Sequence, residues 1–287
     1  MASTIPVSLS RAVARHSWVS RSVILALLAV FILFPAYWMI VTAVAPSRDV
    51  ISSTPSIIPN PATISLENFF RVFEIRPLHL WLINSATVAL ATTLIVVVLS
   101  LMAGYGLSRA RGRLGAVVGL SLFGIRLIPI TLLVVPFFIM FTSMGLRNTL
   151  LSLVIANTVV LLPFASWLMK AVFDGVPVEL EEAACVDGAS KFRAFLAVVL
   201  PIARPGIGAT GIFAGISAWS DFAFARTLVQ GETNATITVG LVGFIGEYTV
   251  DWGALMAAGL ISVLPMIILF VLLEPLLVSG LTQGAVK

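Results

Sequence analysis

Six apolar stretches, each about 20 residues or longer, dominate this chain, and each is long enough to carry a helix across the hydrocarbon of a bilayer. They fall at residues 23–44, 82–107, 114–138, 150–172, 205–224 and 252–277. A backbone inside lipid must satisfy its own N–H and C=O groups, which makes continuous apolar runs of this length helical. Composition agrees: 59% of the 287 residues are hydrophobic and only 10% are charged. A soluble domain carries roughly 25% charged residues, so this chain lacks the polar surface to face water. The expected fold is an all-α membrane protein with six transmembrane helices. Several stretches contain proline or glycine (Pro35, Gly104, Pro129, Pro136, Pro163 and Pro265). Neighbouring helices re-satisfy the groups that such residues free, and the breaks supply kinks.

Lysine and arginine in the loops set the expected orientation. With the N-terminus inside, eleven basic residues lie on the inner side, among them Arg11, Arg21, Arg109, Lys191 and Lys287. Five (Arg48, Arg71, Arg76, Arg147 and Arg226) lie outside and Arg126 sits within a stretch, which accounts for all 17. Both termini are therefore expected in the cytoplasm. The organisation that follows is a cytoplasmic tail (1–22), a six-helix domain (23–277) and a second cytoplasmic tail (278–287). Within the domain, residues 173–204 form a cytoplasmic loop and 226–251 an outer loop. A second outer loop, 46–79, contains Leu66 to Phe70, which read as a short helix at the membrane surface. The first apolar core is too long for a cleaved signal, whose core runs roughly 7–15 residues.

Several chemistries are excluded. A phosphate-binding loop ends in Gly-Lys-Ser/Thr, but Lys170, Lys191 and Lys287 follow Met169, Ser190 and Val286. His16 and His79 have no serine or cysteine placed to pair with them, Cys185 is the single cysteine, and no zinc-ligand spacing occurs. The chain is expected to be no enzyme and to bind no cofactor or metal. Its net charge of +4 follows from the inside bias, so no nucleic acid is expected as a partner.

Five of the thirteen carboxylates crowd into residues 174–187. Pro177 suits the start of a helix, and Glu179, Glu181 and Glu182 would lie near the positive end of its dipole. Ala183 and Ala184 allow close approach, and Gly188 permits a backbone corner that other residues resist. Ser190 can cap a second helix over 191–200, in which Phe192, Phe195, Leu196 and Val199 recur at helical spacing. Pro201 and Pro205 are expected to end that helix and start the next span. The result is a helix–corner–helix knob, where a mere linker would need no such periodicity.

Glu182-Ala183-Ala184, three residues to Gly188, nine more to Val198 and then Leu200-Pro201 resemble the EAA signature of ABC importer permeases. Asn84-Ser85, Pro163-Phe164 with Trp167, Trp219-Ser220-Asp221-Phe222 and the tail from Gly280 to Lys287 are similar to patterns of the sugar-importing branch, the smaller permease of maltose-type transporters above all. The resemblance implies a type I ABC importer permease fold in a bacterial or archaeal inner membrane. It implies that two copies of a cytoplasmic ATPase, which hydrolyse ATP with Mg²⁺, dock on Glu179, Glu182, Ala183, Ala184, Asp187, Gly188 and Ala189. It further implies tail contacts from Gln283 and Gly284 to the ATPases, a second permease beside this chain, and an extracytoplasmic sugar-binding protein on the outer loop. An importer of amino acids or peptides, an ion-coupled secondary sugar transporter and a scaffold without transport are the alternatives.

Ionisable groups within a span default to functional candidates; here they are Arg126, Asp221 and Glu274. Glu274 lies close to the inner end and reads as interfacial. Arg126 and Asp221 differ in depth by about 6 Å at 1.5 Å per residue, so a mutual ion pair is feasible. The other reading places Arg126, Asp221, Trp219 and Phe222 along the substrate path, with Arg126 bonding sugar hydroxyls. Phe123, Phe137, Phe138, Phe213, Phe222 and Phe224 could form an apolar gate, although phenylalanine in a membrane helix is far more often packed or lipid-facing.

Overall fold

The computed structural model describes residues 7–46, 58, 61–110, 112–246 and 248–284, with side chains within 21–272 apart from Leu114. The regular structure among the described residues is helical, with one isolated bridge between Ile245 and Val250. The helices are α1 (Val7–Val44), α2 (Glu67–Ile75), α3 (Leu78–Ser108), α4 (Leu114–Ile125), α5 (Ile130–Ser143) and α6 (Leu150–Asp174). There follow α7 (Val178–Val186), α8 (Lys191–Ala194), α9 (Leu200–Trp219), α10 (Ala223–Leu228), α11 (Ile237–Leu241) and α12 (Trp252–Gly284). Five helical segments among the described residues are long and apolar enough to cross a membrane, and the bent pair α4–α5 makes a sixth.

Two expected boundaries change. The stretch 114–138 is not one rod: α4 and α5 meet at 87°. The last N–H groups of α4 tighten into three-residue turns, Arg126 to Phe123 O, Leu127 to Gly124 O and Ile128 to Ile125 O. Pro129 then has no N–H to continue the ladder and disfavours helical backbone at Ile128, so the chain turns there. The fifth crossing, by contrast, is not interrupted by its prolines. A π turn over Phe195–Val199 joins α8 to α9, and Leu200 N–H donates to Phe195 O. The wider turn accommodates the Pro201 ring, which would otherwise clash with a carbonyl four residues back.

Lipid tails are as apolar as leucine, so helices associate here by close packing and buried polar contacts. α3 shows this along one stripe, where Ser85, Ala89, Thr92, Val96, Ser100 and Gly104 are all buried. A Cβ on Gly104 would stand 2.6 Å from the Cβ of Met169 on α6, so glycine is what lets the two helices touch. α1 behaves oppositely: from residue 21 to 44 it buries only Val41, Thr42 and Ala43. Asn68 of the short amphipathic α2 donates to Ala43 O and Ala45 O at 2.9 and 3.0 Å, tying the surface helix to the end of α1. Arg71 of α2 pairs with Asp251 just before α12. Much of the segment 46–60, with its Arg48, lies outside the described residues.

Candidate functional site

The knob forms as a helix–corner–helix. Pro177 stands at the N-cap of α7, with Glu179 and Glu181 in the first turn, where their charge complements the dipole. Gly188 adopts φ +90°, which β-carbon-bearing residues strongly resist. Asp187 N–H donates to Ala183 O and Ala189 N–H to Ala184 O, both at 3.0 Å, so the last carbonyls of α7 are satisfied across the corner. Ser190 Oγ accepts from Arg193 N–H at 3.3 Å and starts α8.

α7 buries none of its residues. Glu179, Glu182, Ala183, Asp187 and Gly188 are exposed, and Ala184 and Ala189 are half-buried. At the tip Val186 is 87% exposed and Phe192 71%. Val186 stands at the corner of the knob, and Phe192 in the first turn of the arm that leads into the fifth crossing.

Glu181 faces the bundle instead. Its carboxylate accepts from Arg109 Nε and from the Tyr105 hydroxyl, each at 2.7 Å, and also pairs with Arg109 Nη2. Arg109 donates further to Phe173 O at 3.1 Å and Val176 O at 3.2 Å. One guanidinium thus joins the end of α3, the end of α6 and the knob. Sequence reading missed this role for Glu181. The signal was limited to Tyr105 and Arg109 lying one turn apart at the end of a span, with nothing to name their partner 72 residues away.

Arg126 occupies the break between α4 and α5, in the wall of a cavity of about 720 Å³ that Phe137, Asn157, Ser217, Ser220, Asp221 and Phe222 also line. Its guanidinium lies over two rings, 4.7 Å from the Phe164 centroid and 4.9 Å from that of Phe213. The ion pair with Asp221 is not formed. Asp221 caps α10 instead, accepting from Phe224 N–H at 3.2 Å and Ala225 N–H at 3.1 Å, with Asn157 Nδ2 at 3.5 Å. Backbone amides immediately downstream compete better for its oxygens than a side chain on another helix. Among the described residues Arg126 is left with these π faces, and its exposed guanidinium keeps N–H donors free to face the cavity.

The remaining path candidates divide. Phe222 is half-exposed in the same cavity, whereas Trp219 is buried and borders a second, apolar cavity of about 600 Å³ with Thr93, Gly215 and Leu269. The six phenylalanines do not form one ring of side chains. Phe224 is fully buried with Phe137 stacked on it, Phe138 lies under Arg147, and Phe123 packs on Phe164 and Trp167.

At the end of the bundle opposite the knob, the loop 226–251 is fastened to α3. Trp81 Nε1 donates to Glu232 O, and Asn84 Nδ2 to both Thr233 O and Ala235 O, all at 2.9 Å. Ser85 Oγ accepts from Ile237 N–H at 2.8 Å. Asn84 and Ser85 are therefore loop anchors. Glu247, the Glu274 side chain, the Gln283 and Gly284 contacts and residues 285–287 lie outside what is described, although the α12 backbone extends through Gly284.

A bundle of this topology, with a broken crossing beside a cavity that carries Arg126 and Asn157 and a helical knob at one end, is a multi-pass membrane permease. Residues 96–283 match the family described as binding-protein-dependent transport system inner membrane component, and the chain belongs to that family. It is 31% identical over 255 residues to the sulfoquinovosyl glycerol transport system permease protein SmoH of Agrobacterium fabrum, covering 89% of each chain. It is 32% identical over 264 residues to the trehalose/maltose transport system permease protein MalG of Thermococcus litoralis, covering 91% of this chain and 94% of that one. Its fold is similar, with a TM-score of 0.75 at 19% identity, to a chain of a bacterial ABC transporter involved in the import of the acidic polysaccharide alginate. That match covers 96% of this chain and 99% of the other.

Proposed function

We propose that this chain is one permease subunit of an ATP-driven importer that carries a sugar or oligosaccharide inward across a bacterial or archaeal inner membrane. The observation that carries the reading is the knob: a helix with no buried residue, turned at a positive-φ glycine and tied back to the bundle through the Glu181 carboxylate and the buried second arm. Such a helix is built to be gripped. Relatives named for sulfoquinovosyl glycerol and trehalose/maltose transport support a saccharide as cargo.

In this reading two ATPase subunits hold the knob through Glu179, Glu182, Ala183, Ala184, Asp187, Gly188 and Ala189. They bind and hydrolyse ATP with Mg²⁺, since none of the three lysines of this chain sits in a phosphate-binding loop. Gln283 and Gly284 reach the same subunits. The knob faces the cytoplasm with both termini, as the excess of inner Lys and Arg favours, and a binding protein delivers sugar to the loop 226–251 on the other side. A second permease completes the path. The cavity at Arg126 is this subunit's share of that path, with Arg126, Asn157, Ser217 and Ser220 offering polar contacts to sugar hydroxyls and Phe222 an apolar edge. Asp221 and Trp219 act beside it, the first by shaping α10 and the second by packing.

The test is mass spectrometry of what co-purifies with the tagged chain from native membranes in mild detergent. An ATPase and a second six-helix subunit are expected. A chain that emerges alone, in detergent shown to preserve another transporter complex, would favour an ion-coupled carrier and sink the proposal.

A further inference from the structure

The knob and the outer loop are separated by the thickness of the membrane, yet one helix holds both. α3 fastens the loop at Trp81, Asn84 and Ser85 and fastens the knob at Tyr105 and Arg109. From residue 84 to residue 109 is about 37 Å of helix at 1.5 Å per residue.

α3 also differs from every other crossing among the described residues in containing no proline. Pro35 lies in α1, Pro136 in α5, Pro163 in α6, Pro205 in α9 and Pro265 in α12. Proline removes a rung of the hydrogen-bond ladder and is the commonest cause of a sharp bend. α3 therefore runs unbroken from Leu78 to Ser108, through Gly104 and Gly106, without the missing rung that a proline leaves in each of its neighbours.

The joint at its knob end is built for load. Glu181 and Arg109 side chains are only 12% and 17% exposed, so the pair is partly desolvated and removing one partner leaves the other charge uncompensated. Tyr105 bonds the same carboxylate while its ring meets Phe173 of α6 at 5.6 Å and Phe195 of the π turn at 4.6 Å. Both arms of the knob thus close on the last turn of α3. α7 buries no residue of its own, so this polar joint and its packing on the π turn are what seat it.

We infer that α3 is the strut that links ATPase movement to the outer loop, with Glu181 and Arg109 as positioning residues that make the knob and the strut move together. This rests on the reading of the knob as the ATPase docking element and of the loop 226–251 as the binding-protein contact. Without the pair, the ATPases would still grip the knob, but its displacement would be absorbed at the joint. Hydrolysis would then no longer be matched to uptake.

The experiment uses the complete complex in proteoliposomes with its binding protein, measuring uptake and ATP hydrolysis together. Glu181→Gln is expected to lower uptake per ATP by about tenfold, the effect of losing one charge-assisted bond, with assembly and thermal stability retained. A second variant, Arg109→Cys with Glu181→Cys in a Cys185→Ala background, should be uncoupled until a short bis-maleimide bridges the pair, and coupled afterwards. A ratio within about twofold of wild type in Glu181→Gln overturns the inference. So does a bridge that fails to restore coupling, or failure of both variants to assemble, since the pair would then be structural only. If the wild-type complex shows no hydrolysis stimulated by binding protein, the importer reading itself fails, which is a separate result.

Discussion

Replacing Gly188 by alanine tests whether the corner is what shapes the knob. Gly188 sits at φ +90°, and a Cβ built there meets no atom within 4 Å. Steric collision with a neighbour therefore contributes nothing, and the whole cost is backbone strain. Left-handed backbone costs a residue with a β-carbon roughly 1–2 kcal/mol. One to two kcal/mol lowers the ratio of the native corner to its alternatives by a factor of about 5–30. The knob outside the spans carries that loss, because α7 buries nothing. The expected result is a Gly188→Ala subunit that inserts and pairs normally, with unchanged thermal unfolding of its spans, but binds the ATPase about tenfold more weakly in detergent. Gly188→Arg adds bulk and charge on the docking face and should abolish docking. Wild-type ATPase affinity in Gly188→Ala would refute the reasoning, and so would a lower unfolding temperature of the bundle.

Three further outcomes follow from the geometry. Arg126→Leu keeps an apolar stem beside Phe164 and Phe213 and removes the donors; uptake should vanish while co-purification of the partners persists, and loss of assembly would assign Arg126 a packing role instead. Asn84→Ala removes two bonds to the loop carbonyls, each worth about 0.6 kcal/mol in a membrane protein; binding-protein-stimulated hydrolysis should fall, and proteolysis of the loop should quicken. Gly240→Ala would place a Cβ 2.2 Å from the Trp81 ring; overpacking of this kind costs about 1–3 kcal/mol, read as a lowered unfolding temperature in detergent, and no change would mean the ring shifts freely.

What was legible in the sequence and what was not divides by the range of the interactions. The knob could be read because its determinants are local: Pro177, the first-turn glutamates, Gly188 and the Ser190 cap act within a few residues of themselves. The crossings could be counted because burial in lipid demands length and apolarity, both written in one dimension. The break at residues 126–129 is not legible because proline inside a membrane stretch has two outcomes, continuation, as at Pro136 and Pro205, or a turn, as at Pro129. Only neighbouring packing decides between them. Charge and depth match Asp221 to Arg126, yet its partners are amides three and four residues along, a local capping pattern that charge alone does not reveal. The Glu181 clamp depends on three distant segments converging, and periodicity carries no trace of that.

The break between α4 and α5 has a consequence for hydration. About 18 Å of α4 lead up to it, so the chain turns near the middle of the bilayer, where an exposed amide or carbonyl has no solvent to bond. The first turn of α5 has no side-chain cap, leaving N–H groups directed into the bend. Irregular backbone survives at that depth only when buried in protein or bathed by a water-filled cavity. The Arg126 cavity is beside it and polar on one wall. The freed backbone groups at the bend therefore depend on what packs around it or on what fills the Arg126 cavity, and a solute rich in hydroxyls arriving there would meet hydrogen-bonding groups of the backbone as well as of the side chains.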